Sequence, residues 1–248
     1  MLKSRRKPPE SSENRMTQID GELAMFDMVI FDWDGTLADT QEVIVLAFQR
    51  VLRKVGCEVS DEFLERRIGI GGKNMFREAL ETAKIQYDEE TIDRLLEEKT
   101  KIHLMLTPRI RLFEGVTDLL GALRPVVKMS LATMSNRAVI EKTLREKGIK
   151  SYFDFVITAD EVKKPKPNPE AFLKCAEAMR CKPEKCVVIE DSIFGVIAAR
   201  RAGMKCIAIP SGFYSKSDLK KEKPDLIVDS IKEKNTILSY ILGKEEPL

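Results

Sequence analysis

Val29-Ile30-Phe31-Asp32-Trp33-Asp34-Gly35-Thr36-Leu37 is the stretch around which the rest of the chain is organised. From Phe26 to Phe31 the residues are apolar except for Asp27. Their β-branched and aromatic content suits a buried strand. The run stops at Asp32, and Asp34, Gly35 and Thr36 follow. In open α/β sheets, ligands bind at the carboxyl ends of strands. Two acids with one residue between them can place one side chain against a substrate and the other beside it. The first carboxylate and an adjacent backbone carbonyl can also share a hard cation, because Mg²⁺ takes a few oxygen ligands and keeps its waters. Gly35 lets the chain turn with no Cβ in the way. Read alone, Asp-x-Asp-Gly is also an ordinary turn or helix start.

Downstream of this stretch the pattern changes twice. Asp39 or Thr40 can cap a helix in which Ile44, Phe48, Val51, Leu52 and Val55 recur at helical spacing before Gly56. Further helical runs follow from Ser60 to Ile68, around Met75 to Leu80, and from Asp88 to Leu106, with Gly69-Ile-Gly-Gly72 interrupting them. Residues 40 to 106 carry no strand signal. After Pro108 strands alternate with helices: strands at Val126–Thr133, Phe153–Thr158, Cys186–Glu190, Cys206–Ile209 and Leu226–Val228, and helices at Gly115–Leu123, Ser135–Lys147, Pro169–Arg180 and Ser192–Ala202. Such alternation predicts a parallel sheet covered on both faces. The expected architecture is an α/β, Rossmann-like core with an inserted α-helical cap. Its boundaries are a disordered tail at 1–24, a core at 25–38 and 108–248, and a helical cap at 39–107.

Three later strand ends are also polar. Thr133 closes one, and Ser135 and Asn136 open the next helix, where free N–H groups and a hydroxyl make a phosphate site. Ser135 also suits the cap of that helix. The loop Val162-Lys-Lys-Pro-Lys-Pro-Asn-Pro169 has three prolines in five positions. Its rigidity can hold one ammonium group at a fixed point, although a Lys/Pro run is more commonly a solvated loop. Glu190 and Asp191 end a further strand, before a helix whose Gly195, Ala198, Ala199 and Ala202 permit close packing. Asp191 alone reads as an N-cap; a third carboxylate at a third strand end also suits a metal ligand.

Taken in order, these motifs resemble the haloacid dehalogenase superfamily from about residue 26 to the C-terminus. The branch with a helical cap after the first motif, which includes phosphoglycolate phosphatases and β-phosphoglucomutase, is the most similar. The resemblance implies a Mg²⁺-dependent phosphatase acting on a small phosphorylated metabolite. In it, Asp32 is the nucleophile that forms an aspartyl-phosphate, and Asp34 is the general acid and base. Thr133 binds the phosphoryl group and Lys164 offsets its charge, the family spacing favouring Lys164 over Lys166. The Mg²⁺ ligands it implies are the Asp32 and Asp191 side chains and the Asp34 carbonyl, with Glu190 supporting through water. An acid at Asp34 argues for phosphate esters rather than carbon–halogen bonds or phosphonates. Trp33, where the branch often has Phe or Leu, should be structural. Lys73 and Arg67 in the cap, with Ser135 and Asn136, are the candidate substrate contacts. The histidine that follows the first motif in β-phosphoglucomutases is absent here, so a phosphatase is favoured over a mutase. A non-catalytic module on the same fold would show broken motifs, and these are intact.

Composition agrees with an enzyme of this kind. Lys and Arg number 42 against 40 Asp and Glu, for a net charge of +2, which gives no reason to expect nucleic acid or an anionic membrane as partner. No apolar run reaches the roughly 20 residues that span a bilayer. The basic N-terminus has no apolar core of a secretory signal, and Met16 and Met25 just upstream of the first strand are possible later starts. The five cysteines lack a Cys-x-x-Cys spacing and predict reduced thiols in a cytoplasmic protein. One histidine, His103, leaves no pair for a two-histidine mechanism. Monomer and dimer are equally compatible with the sequence.

Overall fold

A computed structural model describes residues 24–244. The predicted tail, with its basic Lys3–Lys7 segment, lies outside the described residues apart from Ala24. At the centre is a six-stranded, wholly parallel sheet in the order β5-β4-β1-β6-β7-β8. The strands are β1 (Met28–Phe31), β4 (Lys128–Ala132), β5 (Phe155–Ile157), β6 (Cys186–Glu190), β7 (Lys205–Ala208) and β8 (Leu226–Ile227). β1 pairs on one side with β4 and on the other with β6, so the strand order reverses beside it. Crevices open at such reversal points, outside the carboxyl ends of the strands.

The alternation of side chains along β1 sorts the core into two layers. Val29 and Phe31 belong to one apolar cluster, with Leu119 of α5 (Val116–Leu123), Ile140 of α6 (Arg137–Glu146) and Ile237 of α10 (Lys234–Leu242). Met28 and Ile30 belong to the other, with Phe172 of α7 (Glu170–Ala178), Val196 of α8 (Ile193–Arg201) and Leu219 of α9 (Lys216–Lys221). Trp33 is fully buried in the first cluster and plays the structural part expected of it.

Between residues 41 and 106 the chain is helical: α1 (Gln41–Lys54), α2 (Asp61–Glu65), α3 (Gly72–Thr82) and α4 (Glu89–Leu106). The rings of Phe48 of α1 and Phe76 of α3 pack at a tilt of 49°, with 4.7 Å between centroids. A two-stranded antiparallel ribbon joins this unit to the sheet: β2 (Ala38–Asp39) pairs with β3 (Arg111–Leu112). The sequence reading missed both ribbon strands, because two residues are too short for an alternation to register. It also missed α9 and α10.

Thr40 stands at the start of α1 without making a side-chain cap, and the cap of α6 is Asn136 rather than Ser135. Asn136 Oδ1 accepts from the Ala138 N–H at 2.9 Å.

Candidate active site

β1 delivers Asp32 to the sheet's carboxyl edge, where its N–H still donates to Ile189 O at 3.0 Å, continuing the ladder. The chain then doubles back. Gly35 N–H donates to Ala38 O at 2.9 Å, and the Leu37 and Ala38 N–H groups both donate to Trp33 O at 3.1 Å. Gly35 has φ +83°, in the left-handed region, and a Cβ there would run into the Asp191 carboxylate. A Cβ at Gly212, in the loop after β7, would meet the same carboxylate. Two glycines therefore let the backbone close around Asp191, and Thr36 Oγ1 donates to Asp191 Oδ1 at 3.0 Å.

The sequence-predicted residues divide into those brought together and those left outside. Asp32, Asp34, Thr133, Ser135, Glu190 and Asp191 are all buried at the ends of β1, β4 and β6. Asp34 Oδ2 accepts from Thr133 Oγ1 at 3.1 Å and from Ser135 Oγ at 2.7 Å. Its other oxygen, Oδ1, is buried with no hydrogen-bond partner. Ser135 thus holds Asp34 instead of capping α6. Asn136, fixed as the cap, also donates from Nδ2 to Asp160 Oδ1 at 2.9 Å.

The choice of lysine requires correction. Lys164 is exposed, and its main-chain N–H donates to Glu170 Oε2 at 2.8 Å. Lys166 is the lysine that enters the site. Its Nζ donates to Asp32 Oδ1 at 2.5 Å, Glu190 Oε1 at 2.6 Å and Ala132 O at 3.1 Å, using all three ammonium hydrogens. Phe172 of α7 lies beneath it, 4.9 Å from Nζ to the ring centroid. Lys-Pro-x-Pro occurs twice in overlapping register, from Lys164 and from Lys166. The packing of α7 on the sheet selects the second.

Glu190 is an anchor as much as a candidate ligand. Oε1 takes Lys166, while Oε2 accepts from the Asp191 and Ser192 N–H groups at 3.0 Å each and from Ser192 Oγ at 2.9 Å. Lys73 and Arg67 lie outside the site. Lys73 pairs with Asp93, and Arg67 pairs with Glu78 at 2.6 Å and lies 3.5 Å over the Phe63 ring. A buried cation that the sequence reading missed is Lys99 of α4. Its Nζ lies 3.1 Å from His103 Nδ1 and 5.0 Å from the Phe48 ring centroid. Burial lowers Lys99 to about 8, with the Asp34 charge opposing. Its position on the apolar side of an amphipathic helix, four residues before the lone histidine, was the available signal.

Oxygen atoms of Asp32, Glu190 and Asp191 lie within 4.8 Å of one another. Burial raises the Asp32 carboxyl well above its usual range, Lys166 opposing this and the Glu190 and Asp34 charges adding to it. Asp191 is raised likewise, by burial first and then by the Glu190 and Asp32 charges. Burial alone would lower Lys166, but Asp32 and Glu190 outweigh it and hold the ammonium above its ordinary value. Crowded, buried carboxylates with one ammonium among them, an all-oxygen donor set and an orphaned Asp34 oxygen are the chemistry that a hard divalent cation satisfies.

A profile of the haloacid dehalogenase-like hydrolase family matches residues 29–209. Fructose-1-phosphate phosphatase YqaB of Escherichia coli is 35% identical over 184 residues, 73% of this chain and 95% of that protein. A phosphorylated carbohydrates phosphatase of Thermotoga maritima is 32% identical over 183 residues, 73% of this chain and 83% of that protein. Among solved structures, β-phosphoglucomutase of Clostridium difficile superposes with a TM-score of 0.76 at 30% identity, covering 84% of this chain and 92% of that one. The chain belongs to the haloacid dehalogenase-like hydrolases, and it is an enzyme.

Proposed function

We propose that this hydrolase is a Mg²⁺-dependent phosphatase that cleaves a small phosphorylated metabolite, of the sugar-phosphate or phosphoglycolate type, through an aspartyl-phosphate. The observation that carries this reading is the Lys166 ammonium bridging Asp32 and Glu190 beside an Asp34 that Thr133 and Ser135 hold. Asp32 attacks phosphorus with the carboxylate oxygen not held by Lys166. The P–O bond to the leaving group breaks, and Asp34 gives its proton to the departing alkoxide. Asp34, now a base, takes a proton from water, which attacks phosphorus and releases phosphate and free Asp32. Lys166 and Thr133 offset the charge that builds on the phosphoryl oxygens. The Asp32 and Asp191 side chains and the Asp34 carbonyl would hold Mg²⁺, which when bound adds positive charge at the same oxygens.

In this reading, residues 25–38 and 108–248 are the catalytic core and 39–107 the cap. Lys99 replaces Lys73 and Arg67 as the cap cation offered to the part of the substrate that does not react. The relatives named for fructose 1-phosphate and phosphorylated carbohydrates support a sugar phosphate as substrate. Five free thiols are compatible with a cytoplasmic enzyme, and among the described residues no helix is long and apolar enough to cross a membrane. The likeness to a β-phosphoglucomutase supports a mutase as the second reading.

Phosphate release from a panel of 2-phosphoglycolate, hexose phosphates, glycerol phosphate, a nucleotide and p-nitrophenyl phosphate, with Mg²⁺ and with EDTA, separates the two. Release that requires the metal is expected, fastest with a sugar phosphate. Conversion of β-glucose 1-phosphate to glucose 6-phosphate without release would overturn the phosphatase in favour of the mutase.

A further inference from the structure

Away from the active site, at the amino end of β6, two cysteines share one turn. Cys181 follows α7 and Cys186 opens β6. The turn between them is already closed. Lys185 N–H donates to Lys182 O at 2.9 Å, and Cys186 Sγ donates to the same carbonyl at 3.2 Å. The Cys186 side chain is thereby folded back onto the residue that directly follows Cys181, so the two cysteines flank one closed turn. Cys181 is half-buried in a segment whose Lys182, Glu184 and Lys185 are exposed, whereas Cys186 is fully buried. Lys128 Nζ donates to Met179 O at 3.0 Å, and Cys181 Sγ lies 3.5 Å from that carbonyl, so an ammonium group stands beside the accessible thiol.

We propose that Cys181 and Cys186 are a dithiol oxidation site, with Cys181 the thiol that meets a hydroperoxide and Cys186 the thiol that resolves it. The Cys181 thiolate attacks the distal peroxide oxygen, the O–O bond breaks, and the departing alkoxide takes the proton. This gives a sulfenic acid and an alcohol. Cys186 sulfur then displaces hydroxide from the sulfenic sulfur, its proton leaving in the water formed, and the disulfide closes. Two thiols are oxidised by two electrons and one peroxide bond is reduced.

The division of roles follows from access and from charge. Cys186 lowers the Cys181 thiol to about 7; burial opposes this, and the Lys128 ammonium assists it while the Asp27 charge acts against it. Cys181 and burial raise Cys186, which keeps it protonated until it is called on. Cys57, Cys175 and Cys206 are buried, and Cys175 is raised to about 12 by burial, so a solvent oxidant has no comparable thiol to attack there.

The test treats the full-length protein with a small excess of hydrogen peroxide, alkylates the remaining thiols under denaturing conditions, and maps the peptides by mass. The expected result is a loss of about 2 Da, a Cys181–Cys186 link that a dithiol reductant reverses, and three alkylated cysteines of the five. Cys181→Ser should abolish the link and keep phosphatase activity. Cys186→Ser should leave Cys181 as a sulfenic acid that dimedone labels. Persistent alkylation of Cys181 after peroxide, or a link from either residue to Cys175 or to a second molecule, would overturn the proposal.

Discussion

At the strand ends, four carboxylates and Lys166 are buried together and joined by short hydrogen bonds; on α1 to α4, most basic residues stand in solvent and pair with neighbours in the same unit. Lys166 is 1% exposed and spends every proton within the site, whereas Lys73 and Asp93 are each about half exposed. Exposed pairs contribute about 0–1 kcal/mol each, and removal of one partner of a buried pair costs about 3–5 kcal/mol. The difference teaches that the strand-end cluster is fixed by buried charge pairing, while the surface charges of the helical unit are paired in solvent, where each pair contributes little. Lys99 is the exception among them, a cation buried on the inner side of α4 beside Phe48.

The sharpest way to break this contrast is at Asp32. Asp32→Asn should retain the fold and lose about 10³-fold or more in kcat, since loss of a nucleophile commonly costs that much; phosphate release and circular dichroism check it together. Turnover at the wild-type rate would sink the aspartyl-phosphate.

Next comes the pair of lysines. Lys166→Met should lower kcat about 10²–10³-fold and, by leaving Asp32 and Glu190 without their cation, destabilise the fold by about 3–5 kcal/mol. Lys164→Met should change neither by more than about twofold, because its side chain is exposed. Equal losses from the two substitutions would erase the distinction between them.

A binding measurement sharpens the reading of the carboxylate cluster without recourse to activity. Mg²⁺ at about 100 times its dissociation constant should stabilise the protein by about 2.7 kcal/mol in thermal unfolding. Asp191→Asn should remove that shift while raising stability in EDTA, since one crowded buried charge is gone. An unchanged Mg²⁺ response in that variant would exclude Asp191 as a ligand.

The smallest effect belongs to Lys99. Its folded value of about 8 lies below the ordinary 10.5, so the unfolded chain binds the extra proton between these two values. This contribution to stability is therefore greatest above about 10.5 and is lost as pH falls through 8. Lys99→Met should be more stable than the wild type at pH 7 by about 2 kcal/mol, after allowance for the unpaired His103 nitrogen. That advantage should narrow as the pH approaches 10. Denaturant unfolding at the two pH values checks it. The same substitution should raise KM for a sugar phosphate more than it lowers kcat.

Much of this was legible in the residues before any coordinates. The β1 stretch declared itself through its apolar run and the two acids that end it. Thr133, Glu190 and Asp191 declared themselves by standing at later strand ends, and the sheet brings all of them to one crevice. The Lys-Pro repeat did not disclose its register, because both lysines precede a proline. Ser135 and Asn136 each suit an N-cap by type. Which of them turns inward depends on the direction of entry into α6, and Asp34 claims the Ser135 hydroxyl across 101 residues of sequence. The ribbon of β2 and β3 exists through pairing across more than 70 residues and has no local signal.

The sequence by itself determined the alternation of the sheet strands with α5 to α8, the inserted helical stretch and the chemical types available at each strand end, since these follow from side-chain periodicity and from residues adjacent in the chain. Only the tertiary structure decided that Lys166 neutralises Asp32, that Glu190 anchors Lys166 and the start of α8, and that Lys99 is the buried cation of the helical unit. Those choices rest on burial and on contacts between distant segments, where three ammonium hydrogens or one carboxylate oxygen can be satisfied by a single arrangement of the packed elements.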